Sequence, residues 1–213
     1  RKQRRLKMSK DQIVYLRKLE EKDAKGMLEW MQDTEIQKRF RFAIETVKRE
    51  DVLRFIKVAE TEPIEGKSIH YAIADEDDEY LGTISLKDVD LLARKAEYAI
   101  SLRRKAQGMG VGTKATMKIL EAAFDRFGLE RVYLNVLSDN ERAIHLYEKC
   151  GFIYEGEFRN HLFLRGEYKS LKWYSMLKKD FKVNRGGVKV IYILKPPIGL
   201  LQFKTEICNR EVA

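Results

Sequence analysis

Cysteine is nearly missing from this chain: Cys150 and Cys208 are the only two in 213 residues. A disulfide framework needs more, so the fold must rest on its core, and a reducing, cytoplasmic setting fits. Histidine is equally scarce. His70, His145 and His161 stand far apart without metal-ligand spacing, so no metal cofactor is expected. No apolar run approaches the roughly 18 to 20 residues a membrane helix requires, which argues against a membrane partner. The basic N-terminus is followed by no apolar h-region, so no secretory signal is expected.

Charge, by contrast, is plentiful. The net value of +9 invites a nucleic-acid partner, but its distribution argues against one. Residues 1–10 carry six bases and no acid, residues 182–213 carry a net +4, and 11–181 is left at −1. The basicity belongs to the two ends, where solvated tails are the ordinary reading. Met8 is a candidate start, which would make residues 1–7 extraneous. With 44% hydrophobic and 35% charged residues, the chain has the composition of a globular protein and the length of one α/β domain. The expected organisation is a basic extension over 1–10, a domain over 11–180, and a C-terminal extension over 181–213.

Hydrophobic periodicity sets the elements. Residues 12–18 alternate and read as a strand. Ala24, Met27, Leu28 and Met31 share one helical face; Val52, Phe55, Ile56 and Ala59 share another over 48–60. Residues 68–74 and 80–87 form a hairpin through the acidic 75–79 turn, and 96–102 is a further strand. A glycine-rich turn leads into a helix over 111–127, with Gly128 where a C′ glycine belongs. Strand 131–137 and a helix over 138–149 follow; Ser138-x-x-Glu141 has capping-box form, and Asn140 is a second competent cap. Segments 152–158 and 168–177 close the order, turning near 163–166. Residues 188–194 read as a strand that fits nowhere in this pattern.

The chemistry gathers between Gln107 and Phe152. Gln107-Gly108-Met109-Gly110-Val111-Gly112-Thr113 joins a strand directly to a helix. Gly108, Gly110 and Gly112 remove Cβ atoms where the backbone turns and lies near a ligand. The first helical N–H groups and the helix dipole make an anion site suited to a diphosphate. It is neither the dinucleotide-binding G-x-G-x-x-G near a first strand nor a P-loop, since G-K-[ST] is missing. Farther on, Asn140-x-x-Ala143-x-x-x-Tyr147 places a small residue and a phenol on one helical face.

Together these segments resemble the GNAT (GCN5-related) N-acetyltransferases. Gln107-x-x-Gly110-x-Gly112 matches that family's Q/R-x-x-G-x-G/A loop, and Asn140-x-x-Ala143-x-x-x-Tyr147-x-x-x-Gly151-Phe152 its second signature. Residues 11–179 fall within the resemblance. Leu16-Arg17-x-Leu19, Asp23-Ala24, Trp30, Ala96-Glu97 and the closing Arg165-Gly166-x-Tyr168 are similar to the RimJ/RimL-type branch.

The resemblance implies an α/β GNAT fold: a mixed, mostly antiparallel twisted sheet flanked by helices, its strands splayed at the cofactor site. The implied co-substrate is acetyl-CoA. Ile100 and Leu102 would offer backbone groups to its pantetheine arm. Gln107, Gly108, Met109, Gly110, Val111, Gly112 and Thr113 would hold the diphosphate. Asn140 and Ala143 would lie near the thiol end. Glu97 would take the amine proton, and Tyr147 would return one to the departing thiolate. A free N–H of strand residues 99–102 would receive the oxyanion.

The acceptor is expected from 30–42 and 158–168, where Arg39, Arg41, Arg159 and Arg165 accompany aromatics. Arginine beside aromatic rings suits a nucleotide-linked amino sugar. A ribosomal-protein N-terminus, a polyamine, and a catalytically silent acyl-CoA-binding module are the alternatives. A homodimer is compatible with the resemblance.

Overall fold

The computed structural model describes residues 13–40, 44 and 46–184. Its elements are β1 (Tyr15–Arg17), α1 (Ala24–Met31), α2 (Thr34–Gln37), α3 (Arg49–Val58), β2 (Ile69–Ala74), β3 (Tyr80–Asp90) and β4 (Lys95–Leu102). After these come α4 (Val111–Glu121), β5 (Arg131–Leu137), α5 (Glu141–Lys149), β6 (Ile153–Leu164), β7 (Glu167–Leu177) and α6 (Lys178–Asn184). The expected order recurs, with the short α2 and the terminal α6 added. The expected strand at 188–194, the basic extension at 1–10, Arg41, Phe42 and Cys208 lie outside the described residues.

Local chemistry sets several boundaries. The Lys48 backbone N–H donates to the Asp51 carboxylate at 3.0 Å, opening α3. The β2–β3 turn is built by Asp75, whose side chain accepts from the N–H groups of Asp77 and Glu79. Helix α4 passes into a π-helical turn at Ala122–Arg126 before Gly128 reverses the chain at φ 68°. The helix expected from 138 begins at Glu141 instead. The Ser138 N–H is held by the Ser170 carbonyl, so Ser138 continues the sheet edge and forms no capping box. Asn140 is the cap, its side chain accepting from the Ala143 N–H at 3.4 Å.

Seven strands form one sheet in the order β1-β2-β3-β4-β5-β7-β6. Every pairing is antiparallel except β4 with β5. That parallel pairing covers only Lys95↔Arg131, Ala96↔Val132 and Glu97↔Tyr133. Each strand continues beyond it, β4 paired with β3 as far as Leu102↔Gly82 and β5 with β7 as far as Leu137↔Leu171. Between those two outer pairings the sheet is open at its centre.

Apolar cores lie on both faces. The larger joins Tyr71, Ile84, Tyr98, Val132 and Leu134 of the sheet to Ala115 and Ile119 of α4. It also takes in Phe124 and Phe181, whose rings stand 5.2 Å apart. Phe181 follows residue 180, so packing against this core continues past the expected domain edge. The second core sets α1 and α3 against Ala72 and Tyr80, and it contains no residue of β4, β5 or β7. The face of those three strands opposite α4 therefore has no helix packed on it through that core. Among the described residues, no helix is long and apolar enough to cross a membrane.

Candidate active site

Backbone parity shows what lines the central opening. The Arg103 N–H reaches the Leu81 carbonyl of β3 at 2.9 Å, while the Arg94 carbonyl accepts from Glu130 and Arg131 on the β5 side. Backbone groups of successive strand residues point to alternate sides. Ala99 and Ser101 therefore face β3, whereas Tyr98, Ile100 and Leu102 face the opening. Ile100 and Leu102, expected to present backbone groups, are on the open side. The Leu102 carbonyl already accepts from Gln107 Nε2 at 2.9 Å, which closes the far end of the gap.

The glycine turn follows. Gly110 is the N-cap of α4 in the left-handed conformation, φ 78°, and Gly108 has φ 77°. A side chain at either position would strain the backbone by about 1–2 kcal/mol. A glycine cap also has no oxygen to satisfy the helix N–H groups. The first intrahelical bond is Lys114 N–H to the Gly110 carbonyl at 3.1 Å, so the donors of Val111, Gly112 and Thr113 remain for a ligand. No acidic residue stands in this first turn to weaken its field. Met109 packs against the larger core and anchors the turn. Gly112 is small for a different reason: a Cβ there would stand 3.2 Å from the Leu146 side chain, so it sets how closely α5 approaches α4.

Sequence reasoning missed Arg142. Its Nη1 donates to Gln107 Oε1 at 2.6 Å, and its Nη2 lies 3.8 Å from where a Gly108 Cβ would stand. It occupies an unspecified position of the second motif, and only the packing of α5 beside the turn makes it visible.

Tyr147 is buried, its ring edge-on to Tyr98 at 5.8 Å and to Phe152 at 6.0 Å. Among the buried tyrosines, Tyr71 bonds to Thr61, Tyr80 to Thr83 and Trp30, Tyr98 to Thr116, and Tyr174 to Glu148. The Tyr147 hydroxyl has no such bond among the described residues. It is also absent from the fully enclosed unpaired polar atoms, so it keeps a path to the outside. Burial raises its pKa well above the ordinary phenol value, with Cys150 a minor contributor. The group is a proton donor at any physiological pH. Ala143 packs beside it against the core.

Glu97 points to the face opposite α4. Its carboxylate accepts from Lys87 Nζ at 2.7 Å and from Asn135 Nδ2 at 3.3 Å. The same face carries Tyr133 and Trp173, stacked at 6.1 Å, with Phe158 5.3 Å from Trp173. Trp173 Nε1 is buried there without a partner. The face thus combines a carboxylate paired with Lys87 and aromatic rings, the Trp173 donor being enclosed among them.

Of the arginines expected to receive an anionic acceptor, Arg39 and Arg165 contact loop carbonyls. Arg165 donates to the Gln37 carbonyl at 2.8 Å, and Arg39 donates to the Asp139 carbonyl at 3.4 Å. They tie α2 to the β6–β7 turn and to the β5–α5 loop. Arg159 is exposed on the edge strand. The acidic turn is likewise occupied: Asp78 pairs with Arg17 and Lys22, and Glu79 with Arg103 and Lys105.

His145 and His161 are exposed, and His70 bonds through Nδ1 to Ser85 Oγ at 2.8 Å. Cys150 is buried, and burial pushes its thiol up to about 11. The folded protein is therefore expected to leave Cys150 unmodified by iodoacetamide at pH 8, with labelling only after denaturation. Peptide mass spectrometry reads this directly, and rapid native labelling at Cys150 would contradict the burial. Among the described residues, no group of three His, Cys, Asp or Glu side chains is placed to hold a metal ion.

Comparison with known proteins agrees with this geometry. Spermidine N(1)-acetyltransferase of Vibrio cholerae is 29% identical over 128 residues, 57% of this chain and 74% of that protein. YdaF, a candidate ribosomal N-acetyltransferase of Bacillus subtilis, is 34% identical over 101 residues, 47% of this chain and 55% of its own length. A crystal structure of the Vibrio cholerae spermidine N-acetyltransferase with CoA and spermine superposes with a TM-score of 0.71 at 23% identity. The match covers 79% of this chain and 98% of that one. Residues 14–153 match the acetyltransferase (GNAT) domain family. With a sheet opened between β4 and β5 and a glycine-capped helix beside the opening, this chain belongs to the GNAT acetyltransferases.

Proposed function

We propose that the chain transfers an acetyl group from acetyl-CoA to a primary amine of a small, multiply charged polyamine. The open face carrying Glu97 among Tyr133, Trp173 and Phe158 carries the acceptor half of this reading. Aromatic faces attract an ammonium group and do not favour a phosphate; the Glu97 charge is paired with Lys87 Nζ at 2.7 Å, so an amine would have to displace that lysine to reach it. The nucleotide-sugar expectation rested on Arg39, Arg41, Arg159 and Arg165. Arg39 and Arg165 each spend a donor on a loop carbonyl and Arg159 is exposed on the edge strand, so the preference for a polyamine rests on the named relatives rather than on these contacts. The named relatives described above act on spermidine or are assigned to ribosomal protein, which supports a polyamine first and a RimJ/RimL-type protein acceptor second.

The donor fits the chain on its own geometry. Open N–H groups of Val111, Gly112 and Thr113 would hold the diphosphate, and the gap-side backbone of Ile100 would pair with the pantetheine arm. Bound there, acetyl-CoA supplies the activated acetyl group. A gap-side N–H of β4 would donate a hydrogen bond to the carbonyl oxygen as charge develops on it. Glu97, once the amine displaces Lys87 from it, would take the ammonium proton, directly or through water. Tyr147 would give a proton to the sulfur. Asn140, its oxygen used as a cap, keeps its amide N–H₂ for the thiol end.

A panel of spermidine, spermine, a peptide with a free N-terminus and a nucleotide-linked amino sugar tests the acceptor. Incubation with acetyl-CoA and a thiol reagent is expected to release CoA fastest with a polyamine. Turnover of the amino sugar alone would overturn the acceptor assignment. Acetyl-CoA binding without turnover of any amine would favour a binding module.

A further inference from the structure

Three basic residues, Arg103, Arg104 and Lys105, stand immediately before the glycine turn and look in sequence like its phosphate grip. Their partners rule this out. Arg103 pairs with Glu29 and Glu79, Lys105 pairs with Glu79, and Arg104 forms a two-pronged contact with Asp33 at 2.6 Å on each oxygen. Each charge is already neutralised, and the cluster serves to tie α1, α2 and the β2–β3 turn to the segment entering the site.

Arg142 is placed differently. It approaches the same turn from the opposite side, on the first turn of α5. The partner holding it is a neutral amide, Gln107 Oε1, and no carboxylate among the described residues forms an ion pair with it. Gln107 is fixed in turn by donating to the Leu102 carbonyl. A guanidinium oriented by a neutral acceptor keeps its full charge and several N–H donors for another group. Its Nη2 stands beside Gly108, next to the open N–H groups of α4. An arginine without a carboxylate partner among the described residues thus stands beside the turn whose end opens α4.

We propose that Arg142 is the side chain that recognises the donor's diphosphate, completing with a full charge what the α4 N-terminus offers as a dipole. This rests on the acetyl-CoA reading above. The rival account is that Arg142 merely braces Gln107 and through it the end of the gap. A brace would matter to any ligand in the gap; a diphosphate contact matters only to a ligand carrying the diphosphate.

Calorimetric titration of the full chain with CoA and with pantetheine, which lacks the diphosphate, the 3′-phosphate and the adenosine, separates the two. In an Arg142 variant dephospho-CoA, which keeps the diphosphate, must show the same loss as CoA; a loss confined to CoA would assign Arg142 to the 3′-phosphate and overturn the proposal. Arg142→Gln is expected to weaken CoA binding by about 10- to 100-fold, the range of a lost charge-assisted hydrogen bond, and to leave pantetheine within about twofold. The salt dependence of CoA binding should flatten in the same variant. Arg142→Lys should recover part of the affinity, since it restores charge without the fork. Equal losses for both ligands, or undiminished CoA affinity, would overturn the proposal. Failure of the unaltered protein to bind CoA at all would instead sink the donor reading.

Discussion

Replacing Tyr147 by Phe is expected to lower kcat by about 10²-fold or more while acetyl-CoA affinity changes little. The ring is held by Tyr98 and Phe152, and Phe preserves both edge-on contacts, each worth about 0.5–1.5 kcal/mol. Only the hydroxyl is lost, and it has no hydrogen bond among the described residues to lose. The fold should therefore melt at nearly the same temperature. This isolates the proton as the missing element. Tyr98→Phe makes the control: it removes a hydroxyl that bonds to Thr116 at 2.7 Å, a contact of the core, so stability should fall more than turnover.

The sign of the pH dependence follows from burial. Desolvation raises the Tyr147 pKa, so the acid stays protonated through the whole working range. Turnover should accordingly rise with pH as the acceptor amine loses its proton, with no alkaline limb from Tyr147 below about pH 10. Steady-state profiles of the native enzyme and the Phe variant should share their acidic limb. An unchanged kcat in the variant would remove Tyr147 from the chemistry.

How much of this was legible in the sequence depended on how far apart the contributing residues lie. The donor half rests on short-range geometry. A left-handed Gly110, a helix starting at Val111 and a tyrosine one turn beyond Ala143 are all written within a few residues of one another. The acceptor half is assembled from distant segments. Arg39 meets Asp139 and Arg165 meets Gln37 only after the sheet has formed, and the chain between them gives no local trace of either contact. The same holds for Arg103 and Arg142. The bases adjoining the turn are neutralised by long-range carboxylates, whereas the arginine without such a partner among the described residues sits on another helix, and neither fact is written locally. At Ser138 a valid local signal lost to a sheet hydrogen bond that its N–H donates to the Ser170 carbonyl. Lys87 beside Glu97 is a cross-strand pairing of β3 with β4, set by register that periodicity alone does not fix.

Gly82 carries the other large expected effect, and nothing in its strand-like surroundings announced it. It lies on β3 opposite Leu102, the last paired residue of β4 beside the gap. A Cβ at this position would stand 2.2 Å from the Ser101 carbonyl oxygen and 3.1 Å from the Leu102 Cα. These are backbone atoms, so no rotamer change relieves the contact. Gly82→Ala must push β4 toward the opening, and overpacking of this kind costs about 1–3 kcal/mol. The displaced segment includes the carbonyl that receives Gln107, so the diphosphate turn should shift with it. Both a lower melting temperature and an acetyl-CoA affinity reduced by roughly tenfold are expected, since a lost hydrogen-bonded contact is worth about that factor. Ile56→Val in the second core supplies the comparison. It costs about 0.5–1.5 kcal/mol through lost packing, yet it lies in the α1–α3 layer, whose core includes no β4 residue. Denaturation and calorimetric titration of the two variants should show stability falling in both and donor affinity falling in Gly82→Ala alone. Equal affinities would mean that β4 absorbs the methyl group without moving the gap, and that the position of this strand does not control donor binding.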